Sequence, residues 1–203
     1  MRVRAGAAAL TLVLAGPLSA APAEARRPSA RPAVWMVGDS VTAYAEGALS
    51  SRLAESVDGR VEIDAENGRN VQVLDDMVRD ELARARRPRT MVLALGTNPA
   101  ADWGRRDFRR VVDSIPDTIS VVLVTVFRTD VYASRAMRRR LADYSRWMRH
   151  LAATAENVCV APWRGTVRGH TDEYLFDGVH PNEVGIEVLA DLVADAVVRC
   201  ARD

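Results

Sequence analysis

The sequence contains no lysine: all 28 of its basic residues are arginine, set against 27 acidic residues for a formal net charge of +1. A balance so close to neutral gives no global attraction to nucleic acid or to an anionic membrane, and neither is expected as a partner. Long apolar runs are also missing. Beyond the N-terminus none reaches the roughly 20 residues that a bilayer-spanning helix needs. No internal repeat with a period of 20 to 50 residues is present, which excludes solenoid and propeller architectures. Cysteine is scarce, with only Cys159 and Cys200, and phenylalanine is limited to three residues.

What is there fits one globular domain, with 203 residues and 48% hydrophobic composition. Residues 1–25 read as a secretory signal peptide, with the basic start Met1-Arg2-Val3-Arg4, the uncharged apolar stretch Ala5 to Ala15, and small-residue cleavage sites after Ala20 or Ala25. Residues 26–32, RRPSARP, are a flexible leader without apolar periodicity, and the folded domain is expected over 33–203. Export makes the protein secreted or extracytoplasmic, without stable membrane insertion after cleavage. It also permits a disulfide between Cys159, on a late strand, and Cys200, at the end of a closing helix.

Apolar runs at 33–37, 60–65, 90–95, 119–127 and 158–161 read as strands, with β-branched residues densest in ISVVLVTVF. Helical spacing between them covers 43–53, 71–85, 107–112, 133–155 and 183–199. Alternation of this kind implies parallel βαβ units, and so an α/β/α sandwich on a five-stranded parallel sheet of flavodoxin-like topology. Ligands of such sheets bind beyond the carboxyl ends of the strands. There the sequence places Gly38-Asp39-Ser40, Asn67-Gly68-Arg69-Asn70, Gly96-Thr97-Asn98 and Asp177-Gly178-Val179-His180-Pro181.

Asp177 and His180 stand three apart before the final helix, and Pro181 favours a fixed turn there. In such a turn the carboxylate orients the imidazole, whose other nitrogen can serve Ser40 as base. The backbone N–H groups of Ser40 and Gly68 and the Asn98 amide are available to a developing oxyanion. Ser40 also fits a plainer role as the cap of the next helix; Asp39 is expected to fix the turn, and Asn182 to start the last helix. Arg69, Arg128, Trp103 and Trp163 follow strand ends and are candidates to touch substrate. His170 and Asp172 match no zinc-ligand spacing, and neither metal nor cofactor is expected. The arginines at 135, 138–140 and 146 read as a solvated helix face.

These four blocks together resemble those of the SGNH, or GDSL, hydrolase superfamily, with Ser40, Gly68, Asn98 and His180 in order. The segments GDSV, NGRNV, LALGTN and DGVHP are most similar to extracytoplasmic SGNH domains that handle O-acetyl groups on bacterial glycans. The resemblance implies a Ser40–His180–Asp177 triad, an oxyanion hole of Ser40, Gly68 and Asn98, and a small-molecule or glycan ester as substrate. The expected protein is a monomeric serine esterase. The scarcity of phenylalanine leaves little material for a deep acyl tunnel, which points to acetyl or other short acyl groups. Alternatives are a lipase- or thioesterase-like enzyme for longer chains, an O-acyltransferase, a phosphate-binding flavodoxin-like module, and an inactive glycan-binding domain.

Overall fold

The computed structural model describes residues 33–201, so the segments expected to be a signal peptide (1–25) and a leader (26–32), and the last two residues, lie outside the described residues. Five strands form one parallel sheet in the order β2-β1-β3-β4-β5: β1 Val34–Gly38, β2 Val61–Ala65, β3 Thr90–Ala94, β4 Ser120–Val124 and β5 Val158–Ala161. The helices are α1 Ser40–Ser56, α2 Leu74–Ala83, α3 Arg105–Ser114, α4 Arg135–Thr154, α5 Trp163–Val167, α6 Thr171–Tyr174 and α7 Glu183–Cys200.

β1, β3 and β4 are buried along their whole length, as continuous apolar runs covered on both faces should be. β2 lies at an edge, and its polar alternation leaves it half-buried. Side chains alternate between two cores. Val34, Met36, Val92 and Val122 meet α1 and α7 through Leu49, Leu53, Leu189, Val193 and Val197. Trp35, Val37, Met91, Leu93 and Val121 meet α2, α3 and α4 through Val78, Phe108, Val111, Leu141 and Met148.

The register brings the strand ends level: Gly38 pairs with Ala65 on one side and Ala94 on the other, and Val124 pairs with Ala161. The chain turns into α1 directly after β1, and this needs glycine at position 38. A Cβ there would stand 2.1 Å from Thr42 Oγ1.

Two expectations are corrected. β4 ends at Val124 rather than Phe127, because from Val126 the backbone turns to α4: Val126 N–H donates to Ser145 Oγ, and Val126 O accepts from the Ser145 hydroxyl. The helical stretch from 71 opens as a 3-10 turn, Val71–Val73, capped by the Asn70 side chain, before α2 begins.

The disulfide joins Cys159 in β5 to Cys200 at the end of α7, with Cα atoms 5.8 Å apart across 41 residues of sequence. Closing a loop of that length contributes about 4 kcal/mol in the chain-entropy account. Among the described residues no helix is long and apolar enough to cross a membrane.

Candidate active site

Asp39, not Ser40, caps α1. Its Oδ1 accepts from Val41 N–H at 3.1 Å and its Oδ2 from Thr97 N–H at 3.2 Å, so one carboxylate fixes the β1–α1 turn and ties it to the loop after β3. Complete burial pushes the Asp39 carboxyl up to about 6, against the opposing pull of those hydrogen bonds. Ser40 is therefore the first residue of the helix, where its N–H has no intrahelical acceptor and sits at the positive end of the helix dipole.

The loop after β2 carries Gly68 at φ +77°, a left-handed conformation that glycine adopts without strain. Arg69 anchors this loop, donating from Nη1 to Gly38 O at 3.2 Å and Asp64 O at 2.7 Å, and from Nη2 to Asp64 Oδ1 at 2.7 Å. From the loop after β3, Asn98 Nδ2 donates to Arg69 O at 3.1 Å, while Val71 N–H donates to Asn98 O at 3.3 Å. On its other side Arg128 Nη1 approaches Asn98 Oδ1 at 3.5 Å. The amide is thus held with its oxygen toward Arg128 and its nitrogen toward the Gly68–Arg69 loop. One N–H is engaged there, and the second is available to a ligand.

The turn before α7 supplies the remaining groups. Asp177 Oδ1 accepts from the N–H groups of Val179 and His180 at 2.9 and 2.8 Å, and Oδ2 lies 2.7 Å from His180 Nδ1. Burial alone would raise the Asp177 carboxyl, but these three hydrogen bonds outweigh it and hold the group below the ordinary carboxylate range. An ionised Asp177 can only accept, so the imidazole proton sits on Nδ1. Nε2 is left to accept from the Ser40 hydroxyl, whose Oγ is 3.0 Å away although the two residues are 140 apart in sequence. Thr129 N–H donates to Gly178 O at 2.8 Å, docking the turn on the loop after β4. Gly178 has φ +84°, and a Cβ there would stand 3.0 Å from Asp130 N. At the start of α7, Asn182 is the cap, accepting from Gly185 N–H at 2.9 Å.

Ser40, His180 and Asp177 thus stand in one hydrogen-bonded line, with Gly68 and Asn98 on the loops flanking β1. The substrate candidates fare differently. Arg69 is almost wholly enclosed, its side chain only 10% exposed and occupied by Asp64 and Glu66. Trp163 is 2% exposed within the core under α1 and α7, because α5 begins immediately after β5 and carries the ring inward. Trp103 is also buried, its edge lining a separate depression between α3 and α4. These burials correct the expectation that the two tryptophans flank the substrate. Arg128 alone borders both Asn98 and open space, and it pairs with Asp130 at 2.6 Å.

Two aromatic residues escaped notice in the sequence. The Tyr44 ring lies 4.7 Å from His180 and the Phe176 ring 5.6 Å, with 5.6 Å between Tyr44 and Phe176. Both are about half exposed. Their positions held a signal: Tyr44 is four residues after Ser40, on the same helix face, and Phe176 directly precedes Asp177. Among the described residues, no group of three or more His, Cys, Asp or Glu is arranged to hold a metal ion.

Chemically, the line of three groups can generate an alkoxide nucleophile at Ser40 and pass its proton to a leaving group, while the flanking donors face the charge that develops. Asn98→Ala tests the last role: the turnover number on a small ester is expected to fall about 10²- to 10³-fold with little change in KM. A loss confined to KM would assign Asn98 to ground-state binding instead.

Comparison with known proteins bears on the fold and the family. The catalytic domain of peptidoglycan O-acetyltransferase A from Streptococcus pneumoniae superposes with a TM-score of 0.73 at 21% identity, covering 84% of this chain and 94% of that one. An acetyl xylan esterase from Geobacillus stearothermophilus gives 0.64 at 18% identity, covering 84% and 95%. An alpha/beta hydrolase enzyme from the metagenome of Lake Arreo, Spain, gives 0.63 at 17% identity, covering 87% and 99%. No curated protein matches the sequence. At these identities the structural likeness establishes the fold; the sequence match is more specific, and since it runs from residue 36 to 188, the chain belongs to the GDSL-like lipase/acylhydrolase family.

Proposed function

We propose that this chain is an exported serine esterase that removes short acyl groups, acetyl foremost, from carbohydrate hydroxyls. The observation that carries the reading is the relay from Asp177 through His180 to Ser40, at 2.7 and 3.0 Å. Ser40 Oγ attacks the ester carbonyl carbon as its proton passes to His180 Nε2, and Asp177 stabilises the imidazolium that forms. The N–H groups of Ser40 and Gly68 and Nδ2 of Asn98 receive the oxyanion. His180 then gives the proton to the departing alcohol oxygen. Water, activated by the same imidazole, attacks the acyl-serine and releases the acid, leaving Ser40 protonated again.

The acyl preference has a physical basis. The interior space beneath the first turn of α1, bounded by Met36, Val41, Thr97, Trp163 and Leu189, amounts to about 10 Å³, too little to take a long acyl chain there. On the alcohol side, the half-exposed Tyr44 and Phe176 rings flank His180, the group that must protonate the leaving oxygen. Exposed aromatic faces suit the C–H face of a sugar ring. Two of the structural neighbours are themselves named for O-acetyl chemistry on polysaccharides. The basic, apolar and small-residue succession at the N-terminus supports export, as does the disulfide.

The test is a p-nitrophenyl ester series from acetate to palmitate, followed by acetylated oligosaccharides. Release is expected to be fastest at acetate to butyrate and at least about tenfold slower by octanoate, in line with a site that cannot bury a long chain. An optimum at eight carbons or more would overturn the short-chain reading. The likeness to an O-acetyltransferase domain also favours a second reading, transfer of the acyl group from Ser40 to a sugar instead of water. Acyl exchange onto an unesterified oligosaccharide, faster than acid release, would establish it.

A further inference from the structure

Beside the catalytic turn, the loop after β4, the first turn of α4 and the connection between α5 and α6 enclose a second cavity of about 440 Å³. Its walls include Phe127 and four arginines, Arg128, Arg138, Arg164 and Arg168, and no acidic residue lines it. Elsewhere on the surface arginines meet carboxylates: Arg52 meets Glu187 and Asp191, Arg69 meets Asp64 and Glu66, Arg110 meets Asp75 and Asp107. Here only Arg128 does, through Asp130.

Arg164 is the informative member. Its guanidinium is half-buried, lies 5.5 Å over the Phe127 ring and reaches a single carbonyl, Val126 O, at 3.4 Å. Among the described residues neither it nor Arg168 pairs with a carboxylate. Burial, followed by repulsion from Arg168 and Arg149, lowers the Arg164 pKa from its ordinary value. A partly desolvated cation crowded by like charges carries a cost that the Phe127 ring and one carbonyl offset only in part. An anion seated between the guanidinium groups would offset it, through bidentate, charge-assisted hydrogen bonds.

The cavity also shares a wall with the catalytic cleft. Arg128 reaches Asn98 Oδ1, and Thr129 N–H holds Gly178 O in the Asp177–His180 turn. Whatever fills the cavity therefore sits on the same edge of the sheet as the ester under attack. We propose that this arginine cavity is an anion subsite, which holds a carboxylate or phosphate substituent on the polymer whose ester faces Ser40. The identity of the polymer rests on the esterase reading; the affinity for an anion does not.

Binding is tested first, by NMR or calorimetric titration at constant ionic strength of the wild type, Arg168→Gln and the Arg164→Gln/Arg168→Gln double variant. The probes are glucuronate, glycerol 3-phosphate and, as neutral control, glucose. The wild type is expected to bind at least one anion and not glucose, and the double variant to bind it about tenfold or more weakly, the loss expected of charge-assisted contacts. Arg168 is exposed, so Arg168→Gln alone keeps the fold and must show part of the effect. Stronger binding of glucuronate points to an acidic glycan, and of glycerol 3-phosphate to a phosphodiester polymer. Absence of anion binding, or binding unchanged in the double variant, overturns the subsite.

Kinetics form the second arm, comparing an acetylated glucuronic-acid-bearing oligosaccharide with a neutral acetylated one. In the double variant KM for the acidic ester should rise about fivefold or more with kcat kept, and the neutral ester should be unaffected. Equal KM for the acidic ester in both proteins overturns the placement of the anion on the substrate. A wild type that binds the anion through Arg164 and Arg168 yet hydrolyses neither ester sinks the esterase reading and keeps the anion site.

Discussion

Ser40→Ala is expected to lower kcat/KM on p-nitrophenyl acetate by about 10⁵-fold or more, the scale seen when a triad nucleophile is removed. The substitution deletes the hydroxyl that stands 3.0 Å from His180 Nε2, and no acyl-enzyme can form without it. What survives is a set of oxyanion donors and a His–Asp pair able at most to assist a water molecule, so a small residual rate remains. The fold should not notice the change. Ser40 caps nothing: the capping bond to Val41 N–H belongs to Asp39, and alanine is a good residue for a first helical turn. Thermal unfolding is therefore expected to shift by no more than about 2 °C, which a calorimetric scan can resolve. Retention of more than about 1% of the wild-type rate would mean that the nucleophile lies elsewhere, since triad members act as a unit.

That outcome bears on how much of the site the sequence alone carries. A serine after a glycine-terminated strand fits both a cap and a nucleophile, and the sequence around it does not decide. The structure separates the two roles by one residue, giving the cap to Asp39 and leaving Ser40 facing His180. The five strands and the strand-end blocks were legible because each is a local pattern: a buried run, then small or polar residues. The disulfide was legible because a strand and the helix that follows it must run back along each other. Less visible were features made by meetings between distant segments. Arg69 looks like a free cation in sequence, yet it is consumed by Gly38, Asp64 and Glu66. Trp163 follows a strand end, but the short α5, which has no apolar periodicity to announce it, swings the ring inward. The Tyr44–Phe176 wall brings together residues 132 positions apart, and the arginine cavity draws on three separate segments of the chain.

Asp177→Asn is expected to reduce kcat/KM by about 10⁴-fold, although it changes one atom and removes no hydrogen-bonding position. The argument turns on which end of the amide faces which partner. In the wild type Oδ1 already serves the N–H groups of Val179 and His180, and both require an acceptor. The asparagine carbonyl must therefore take the Oδ1 position, which leaves the NH₂ group in the place of Oδ2, 2.7 Å from His180 Nδ1. A donor there obliges Nδ1 to accept, so the imidazole proton moves to Nε2. Nε2 then donates to Ser40 Oγ instead of receiving its proton, and the base is lost with the geometry intact. The negative charge that stabilises the imidazolium disappears at the same step. Because hydrogen bonds hold the Asp177 carboxyl below the ordinary range, it is ionised throughout the neutral region, and no change of buffer between pH 6 and 8 mimics the substitution. A depressed carboxyl also stabilises the turn above its unfolded pKa and ceases to do so as pH falls through the folded one, so the native turn should weaken only under acid conditions. The readouts are kcat/KM, for the tautomer, and near-ultraviolet circular dichroism, for the fold. A rate loss below tenfold with an unchanged spectrum would show that something other than Asp177 sets the proton on His180.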